Sequence, residues 1–444
     1  MKTTFVNGAC VIIESDDVKI ICDPWITGEA YYGSWSIYPP LQIEDQYLED
    51  IDYIYISHIH PDHLHPESLE KIDKKVPVLI HSFEDKFLKF KLEKLGRKVI
   101  ELKHGESHNC GANVRVHIYA ADNCVTDNTI KFLGLGKTHN TEGQSTGIDT
   151  ACVVENGEQT ILNVNDCPFD LTRDTISTIL KKFGRPDMLL FPYNAAGSFP
   201  QCFNNYSHIE KIEKAEYKSK RFLEMGLEYL NFCQPKNYLP FAGGYTLCGD
   251  LSDLNKYRGN PDQADAVKYY QEKYELGDPV LLNQLESFDL STGKQSRGYE
   301  HICSATKKQY CETVLKNKKY DYQDDPEPAL EQITNLIPAC FDRLVKKADE
   351  LNFKTNKIIY IELPNHKMVK IDVSSKNCNI IDNNSFKDSN CVVYKLDYKL
   401  LYRILQGPRY AHWDNATVGS HVQFYRNPDV YEKKVYWCMN YFHQ

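Results

Sequence analysis

The stretch that decides the fold is Ser57-His58-Ile59-His60-Pro61-Asp62-His63-Leu64-His65. It follows directly on the run Ile-Asp-Tyr-Ile-Tyr-Ile at residues 51–56, which is typical of a buried strand. A strand that ends in this way places its following side chains on a loop at the sheet edge. There the side chains of the alternate residues His58 and His60 can point in the same direction, while those of Asp62 and His63 can reach a neighbouring position. Imidazole and carboxylate groups suit zinc, iron or manganese, so the stretch predicts a metal centre.

A second candidate ligand stands at the tip of a later strand. Residues 160–167, Thr160-Ile161-Leu162-Asn163-Val164-Asn165-Asp166-Cys167, predict a strand that delivers Asp166 at its tip. On its own, an aspartate at a strand end is more often a turn or helix-cap residue. With the histidine-rich loop upstream, we predict instead that Asp166 bridges two metal ions, which would share an activated water or hydroxide.

The remainder of the chain predicts an α/β protein with an additional C-terminal α+β domain. Short strands alternate with helices through the first half, and a long helix begins at Ser207, where Glu210 completes a capping box. Residues 326–351 show apolar positions at helical spacing, which predicts one amphipathic helix kinked at Pro338. We divide the 444 residues into a catalytic domain (1–250), a loop-rich connecting segment (251–304) and the α+β domain (305–444).

Composition excludes several classes of protein. The formal net charge of −9 argues against a general nucleic-acid binder, which usually carries a basic face. No apolar stretch reaches the roughly 18 residues of a membrane helix, and Met1 to Asn7 show no signal-peptide pattern. The 15 cysteines include no CxxC pair and lie mostly beside apolar neighbours. We therefore expect free, mostly buried thiols in a cytoplasmic protein that binds neither nucleic acid nor membrane.

The histidine loop and the later aspartate resemble the metallo-β-lactamase superfamily, whose fold sandwiches two β-sheets between helices (αββα). The usual ligands of that superfamily are the HxHxDH set, a third histidine, a bridging aspartate and a final histidine. The resemblance implies that Asp122, at the end of the strand Val114 to Ala120, takes the place of the third histidine; His117 and His139 suit that place less well. At the place of the final histidine stands Phe241-Ala242-Gly243-Gly244. The implied metal ligands are His58, His60, Asp62, His63, Asp122 and Asp166.

A narrower resemblance is to the CMP-N-acetylneuraminate hydroxylases. It rests on the metal loop and on the stretches Cys22-Asp23-Pro24-Trp25, Ala195-Ala196-Gly197-Ser198-Phe199-Pro200, Pro240-Phe241-Ala242-Gly243 and Arg426-Asn427-Pro428-Asp429. Similar stretches run from about residue 7 to about residue 440. The resemblance implies hydroxylation of a nucleotide-bound sugar with iron and O₂, with electrons passing through a Rieske domain. Rieske ligation needs CxH and CxxH pairs. We find neither here, so we expect no Rieske cluster in this chain. Either an external electron donor supplies the electrons, or the chemistry is not a reductive oxygenation.

Three functions remain open at this point. The first is an oxygenase with two divalent metal ions, iron being favoured, that hydroxylates a sugar, nucleotide-sugar or similar polar metabolite. Its carboxylate-rich ligand set, with open positions, suits iron and O₂. The alternative is a zinc or manganese metallohydrolase of a phosphodiester, lactone or amide, in which Asp62 serves as ligand or catalytic proton acceptor. The third is a binding protein that keeps a relic metal site. We expect the C-terminal domain to be a lid or dimer module; alternatively, Arg409, His412 and Trp413 meet the substrate.

Overall fold

The computed structural model describes residues 1–385 and 388–444. Its strands form an eight-stranded sheet (β17-β16-β1-β2-β3-β5-β6-β7), a seven-stranded sheet (β15-β13-β12-β11-β10-β9-β8), a five-stranded C-terminal sheet (β20-β19-β18-β21-β22) and the small pair β4 and β14. The strands are β1 (Lys2–Asn7), β2 (Cys10–Ser15), β3 (Val18–Cys22), β4 (Trp35–Ser36), β5 (Tyr53–Tyr55), β6 (Val78–His81), β7 (Val99–Leu102), β8 (Ser107–Asn109), β9 (Arg115–Ala120), β10 (Thr150–Glu155), β11 (Thr160–Asn163), β12 (Met188–Pro192), β13 (Asn237–Phe241), β14 (Thr246–Leu247), β15 (Asp278–Pro279), β16 (Glu286–Asp289), β17 (Lys294–Gln295), β18 (Ile358–Leu363), β19 (Lys367–Asp372), β20 (Asn377–Asp382), β21 (Cys391–Lys395) and β22 (Gln423–Asn427).

Helices cover the sheets and connect them. They are α1 (Asp45–Leu48), α2 (Pro66–Glu70), α3 (Phe87–Lys94), α4 (Thr126–Leu133), α5 (Phe169–Phe183), α6 (His208–Cys233), α7 (Gln263–Gln271), α8 (Ser304–Thr313), α9 (Leu330–Thr334), α10 (Ile337–Glu350), α11 (Tyr398–Leu405), α12 (Trp413–Val418) and α13 (Lys433–Met439), with 3₁₀ turns at Gly249–Tyr257, Leu315–Asn317 and Asn383–Ser385. None of the helices in the described ranges is both long enough and apolar enough to cross a membrane.

The two large sheets pack face to face, and helices cover their outer faces. In β2 and β3, Ile13 and Ile20 face the other sheet, whereas Ile12 and Ile21 face the helix side. Both faces are buried, so these strands read as continuous apolar runs although their side chains alternate with a period of two. Helices α5, α6 and α7 cover the second sheet. This is the predicted αββα metallo-β-lactamase fold.

The two large sheets follow the same plan. Each has neighbouring antiparallel strands (β1, β2 and β3; β9, β10 and β11) that continue into parallel ones (β5, β6 and β7; β12, β13 and β15). Loops that follow β3, β5, β11, β12 and β13, and the one that precedes β10, therefore meet at one edge of the sandwich. In open α/β sheets such an edge, at the carboxyl ends of the strands, is where ligands bind.

Two helices predicted from local sequence patterns can be compared with the structure. The capping box at the start of α6 is present, since the Ser207 hydroxyl accepts from the Glu210 amide and the Glu210 carboxylate accepts from the Ser207 amide. The single kinked helix at 326–351 was wrong. Two helices, α9 and α10, occupy this stretch, and Pro338 lies in the first turn of the second. Proline fits there because the first helical amides have no partner to lose.

The C-terminal sheet and its helices form a further layer that is docked against the first part of the chain. Their hydrophobic core also takes in Cys202, Phe203 and Tyr206, which precede α6. The Phe203 ring stacks on Phe424 of β22 at 5.2 Å between ring centroids. The backbone continues the contact, because the Asn204 amide donates to the Phe424 carbonyl and the Phe424 amide to the Cys202 carbonyl, both at 2.7 Å. The extra C-terminal unit is present as predicted; the exact boundaries stay a prediction.

All fifteen cysteine thiols are free, and most of them are buried, as their apolar sequence neighbours predicted. Burial raises the pKa of several of them, for example that of Cys202 and that of Cys233, each to about 12. They remain protonated at neutral pH and act as small apolar side chains of the core.

Candidate metal centre

The loop after β5 is rigidly held. The His63 and Leu64 amides both donate to the His60 carbonyl, at 3.0 and 2.8 Å, which closes a tight turn. The Leu64 side chain is completely buried beneath this turn and anchors it in the core. His65 then caps α2, because its Nδ1 accepts from the Ser68 amide at 3.3 Å. His65 is therefore a structural residue of the loop, in contrast to the other three histidines.

Those three histidines turn one ring nitrogen each towards a common region. His58 Nε2 lies 2.8 Å from His60 Nδ1. His63 Nε2 lies 3.2 Å from the Asp166 carboxylate and 3.7 Å from the Asp62 carboxylate. Ligand atoms of His58, His63 and Asp166 all fall within 4.8 Å of one another. Five of the six predicted ligands are thus brought together by the fold.

The opposite nitrogens of the same rings are held by other partners. His58 Nδ1 contacts the Ser57 hydroxyl at 2.9 Å, and His63 Nδ1 contacts the Asp23 carboxylate at 2.9 Å. His60 Nε2 contacts the carboxylate of Asp414, from the C-terminal part of the chain, also at 2.9 Å. Metal-bound histidines nearly always donate their second ring N–H to such partners. The pattern therefore fits a metal centre, with His58 Nε2, His60 Nδ1 and His63 Nε2 as the ligand atoms.

Asp23 is a site residue that the sequence analysis did not assign. It is fully buried, and besides His63 it accepts from the Ser57 amide and the Ser57 hydroxyl, both at 2.7 Å. It lies directly after β3, the parallel neighbour of β5. Its position at the end of a strand next to the metal loop was the signal that could have revealed it.

Asp62 reaches the cluster from the far side of the turn. Its Oδ1 accepts from the Tyr31 hydroxyl at 2.7 Å, which leaves Oδ2 towards His63. Tyr31 is 2% exposed, and its backbone is in the left-handed region at φ 52°. Such a backbone is costly for a bulky residue, so the surrounding contacts must hold Tyr31 in place.

Asp122 lies at the same sheet edge but its carboxylate is engaged elsewhere. Oδ2 accepts from the Thr129 and Ser145 hydroxyls, each at 2.8 Å, and Oδ1 accepts from the Cys124 amide at 3.0 Å. The side chain is 2% exposed. These bonds are typical of a buried structural carboxylate, and its predicted role as a ligand gains no support from them.

Asp149 is a second carboxylate at this edge that the sequence analysis did not assign. It precedes β10, whose first residue, Thr150, donates from its hydroxyl to the Ser57 carbonyl at 2.7 Å. Because β10 and β11 are antiparallel, the start of β10 lies beside the end of β11 and so beside Asp166. The signal that could have revealed Asp149 was its position directly before β10, the strand that pairs with β11. The sequence analysis favoured Asp122 because that residue follows the end of a predicted strand.

Mutual charge shifts the pKa values of this cluster. Burial lowers the pKa of His58 well below its ordinary value, with His63 and His60 adding to the effect. Burial acts in the same direction on His60 and His63, but the neighbouring carboxylates outweigh it and raise both pKa values. Burial also raises the pKa of Asp62, and it raises that of Asp149 to about 6, where His60 opposes the shift and Asp166 adds to it. Without a metal, protons therefore balance the charges of this group.

A cleft leads from the metal centre across the sandwich. A small cavity of about 30 Å³ touches Asp62, His63 and Asp166, with Gly243 and Gly244 on its wall. It shares Gly8 and the segment 242–245 with a larger cleft of about 770 Å³. The small residues Ala242, Gly243 and Gly244 occupy the place where the superfamily has its final histidine ligand. The centre is therefore open towards this cleft.

Aromatic and polar side chains form the cleft. Tyr245 stacks in parallel on Trp35 at 3.4 Å between ring centroids, and the Arg258 guanidinium lies 4.5 Å from the centroid of the Tyr245 ring. Both acidic and basic residues line the larger part: Lys2, Lys19, Arg297, Lys307, Glu14, Glu44, Asp262, Glu286 and Glu300. The cleft thus suits a polar, ring-containing ligand better than an apolar one.

Comparison with known proteins agrees with this architecture. Residues 2–212 match the family model described as "Beta-lactamase superfamily domain". The cytidine monophosphate-N-acetylneuraminic acid hydroxylase of Danio rerio is 27% identical over 250 residues, which is 55% of this chain and 38% of that protein. The enzyme of the same name from Cricetulus griseus is 25% identical over 291 residues, 64% of this chain and 45% of that protein. The predicted resemblance is confirmed, although the matched segments are shorter than the span of about 7–440 that the motifs suggested.

The chain spans less than half the length of these two relatives. Among solved structures, Igni18, a metallo hydrolase from Ignicoccus hospitalis, is 14% identical with a TM-score of 0.42, covering 65% of this chain and 98% of that one. At this level of similarity the structural match does not favour one chemistry over another.

Proposed function

We propose that this chain, whose residues 2–212 match the family model described as "Beta-lactamase superfamily domain", is a dinuclear iron oxygenase that hydroxylates a sugar, nucleotide-sugar or similar polar metabolite. His58, His60 and Asp149 would hold one ion, Asp62 and His63 the other, and Asp166 would bridge them. When bound there, two iron ions supply the redox chemistry that activates O₂.

The observation that carries the proposal is the chemistry of the first ligand group. Two imidazole nitrogens, His58 Nε2 and His60 Nδ1, lie 2.8 Å apart. We assign the third donor to Asp149, whose carboxyl group interacts electrostatically with His60. Two histidines and one carboxylate with open positions are typical of non-haem iron oxygenases. Catalytic zinc is held by the same set in some hydrolases, so metal analysis is needed to separate the two functions. Asp149 takes the role that the sequence analysis gave to Asp122, because Asp122 already accepts three hydrogen bonds.

The chain's own residues would orient the substrate and restrict water. The cleft beside Asp62 and Asp166 would hold the polar substrate against the Trp35–Tyr245 stack. Tyr31 stays protonated, because burial and the charge of Asp62 raise its pKa well above the ordinary value. Its hydroxyl therefore keeps donating to Asp62 and fixes the orientation of that carboxylate.

Electrons for such a reaction would come from a protein or domain outside this chain. The sequence has no CxH and CxxH ligand pairs of the Rieske type. We propose that this chain has two partners: an external electron donor, which reduces the metal ions, and a small-molecule substrate.

The test is metal content and O₂ reactivity. Protein purified anaerobically without added metal is analysed by elemental mass spectrometry, reduced chemically, and mixed with O₂ in an oxygen electrode. We expect about two iron ions per chain and O₂ consumption that the Asp166→Ala variant loses. Iron-loaded protein that consumes no O₂ with any reductant would refute the oxygenase.

A zinc or manganese metallohydrolase is the second candidate, and one observation favours it. Burial raises the pKa of Asp62, so this carboxylate could accept a proton from a metal-activated water. Hydrolysis of a phosphodiester, lactone or amide that is abolished in Asp62→Asn, together with bound zinc or manganese, would support this function. Full turnover in Asp62→Asn would exclude the catalytic role of Asp62.

A further inference from the structure

A segment of the C-terminal unit, residues 412–421, reaches the metal centre although it lies far away in sequence. Its Asp414 carboxylate lies 2.9 Å from His60 Nε2, across 354 residues of chain. The other two histidines of the centre take their partners, Ser57 and Asp23, from the first domain. His60 thus depends on the C-terminal unit for the partner of its second nitrogen.

The contact decides which nitrogen of His60 carries the proton. A carboxylate accepts hydrogen bonds, so a neutral His60 is held with its proton on Nε2. The lone pair then stays on Nδ1, the atom that faces His58 Nε2. This is the tautomer that a metal ligand at this position needs, and a carboxylate partner also increases the basicity of the ring.

Asp414 is itself firmly placed. It lies in the first turn of α12, next to Trp413, which is 1% exposed and donates from its indole N–H to the Phe442 carbonyl at 2.8 Å. The His412 amide donates to the Tyr32 hydroxyl at 2.7 Å. The Asp414 carboxylate is therefore held in place to accept from His60 Nε2.

The same segment also contacts Tyr31, the residue that donates a hydrogen bond to Asp62. His421 Nε2 lies 2.8 Å from the Tyr31 carbonyl, and Tyr31 donates to Asp62. His421 is buried against Tyr322, whose hydroxyl contacts its Nδ1 at 3.0 Å. The C-terminal unit thus supports one residue of each proposed half of the centre, His60 directly and Asp62 through Tyr31.

We propose that Asp414 is a positioning residue of the metal centre: it fixes the tautomer and orientation of His60, so that the C-terminal unit completes the centre rather than merely covering it. The inference rests on the proposed metal-dependent function, but it concerns binding of the ions and not the reaction.

The test compares zinc affinity in full-length variants. Asp414→Asn keeps the shape of the side chain and removes its charge, while Asp414→Ala removes both. The control is Asp429→Asn, because Asp429 also joins the two units, through Tyr206 and Arg426, but touches no residue of the centre. Each protein is stripped of metal, and zinc affinity is measured by competition with a chromogenic chelator.

We expect one of the two zinc ions to bind about 10–100-fold more weakly in both Asp414 variants, with the Asp429→Asn protein unchanged. Equal affinity in Asp414→Asn, Asp414→Ala and wild type would overturn the inference, as would an equal loss in Asp429→Asn. If the wild-type protein bound no zinc or iron, the proposed function itself would fail, and that result is distinct from a selective effect at Asp414.

A second measurement needs no metal. In ¹⁵N-histidine-labelled protein, the ring nitrogen shifts of His60 report where its proton lies. At a pH above the raised pKa of His60, where its ring is neutral, we expect an Nε2-protonated ring in the wild type and a shift towards the Nδ1-protonated form in Asp414→Asn. Unchanged ring shifts would refute the positioning role, even if Asp414→Ala failed to fold.

Discussion

The two large sheets contribute to the proposed metal centre in different ways although their strand plans are alike. The first sheet delivers imidazoles from one continuous loop, residues 57–65, after β5. The second sheet delivers isolated carboxylates from separate strand ends, Asp149 before β10 and Asp166 after β11. A cluster within one loop is visible in the sequence, whereas residues assembled from different strands are brought together only by pairing. Variants of residues from each sheet test whether the two contributions differ in this way.

The largest effect is expected from the residue that joins both sheets. Asp166 comes from the second sheet and contacts His63 of the first at 3.2 Å. We expect Asp166→Ala to lose both metal ions, with an affinity loss exceeding the roughly 100-fold that partners of ligands produce, as measured by elemental analysis after dialysis. Retention of two ions per chain would show that the bridging role is wrong.

The two carboxylates Asp122 and Asp149 should separate stability from metal binding. Asp122→Ala removes the acceptor of three hydrogen bonds, so we expect about 2–3 kcal/mol lower stability and unchanged metal content. Asp149→Ala removes a carboxyl group whose folded pKa of about 6 exceeds its ordinary value, so its charge at pH 7.5 destabilises the metal-free protein.

We therefore expect an equal or higher Tm for metal-free Asp149→Ala, together with weakened binding of one ion. Thermal unfolding and elemental analysis of both variants measure the two effects. The reverse pattern, with metal lost in Asp122→Ala and kept in Asp149→Ala, would restore Asp122 as the ligand.

A pH effect is expected because protons and metal ions compete for the same atoms. The pKa values of His60, His63 and Asp149 are raised in the folded, metal-free protein. A raised folded pKa stabilises the protein at low pH, and this contribution is lost as pH rises through the folded pKa. We expect the increase in Tm caused by zinc to be larger at pH 8 than at pH 6. A pH-independent increase would contradict proton displacement at these residues.

The smallest effect is expected at Tyr31, which supports a ligand but is not one. Tyr31→Phe removes the hydroxyl that donates to Asp62 at 2.7 Å and keeps the packing of the ring on Trp35. We expect about 1 kcal/mol lower stability or less and less than 10-fold weaker binding of one metal ion. Tyr402→Phe is a matched control in the C-terminal unit, at a half-buried ring far along the chain from the loop. Equal effects of both changes would indicate a general loss of packing.

Much of the centre could be predicted because its ligands are close in sequence. His58, His60, Asp62 and His63 lie within six residues, after a strand whose apolar run is unmistakable, and Asp166 stands at the tip of another such strand. Asp23, Asp149 and Asp414 could not be assigned in the same way. Each is a lone aspartate, and a lone aspartate is far more often a cap or turn residue than part of a site. Their roles depend on β3 lying beside β5, on β10 beside β11, and on α12 against the loop.

The amino-acid sequence was enough to find the metal loop, because a dense ligand cluster after an apolar strand is a local property. Through its resemblance to the metallo-β-lactamase superfamily, that loop also implied the αββα fold. Only the folded structure shows that the Asp122 carboxylate accepts from Thr129 and Ser145, whereas that of Asp149 interacts electrostatically with His60 and Asp166. It also decided that His60 takes its partner from 354 residues away. The physical reason is that hydrogen bonds and charge act over a few ångströms in space, and only the packing of strands and helices determines which distant residues share that range.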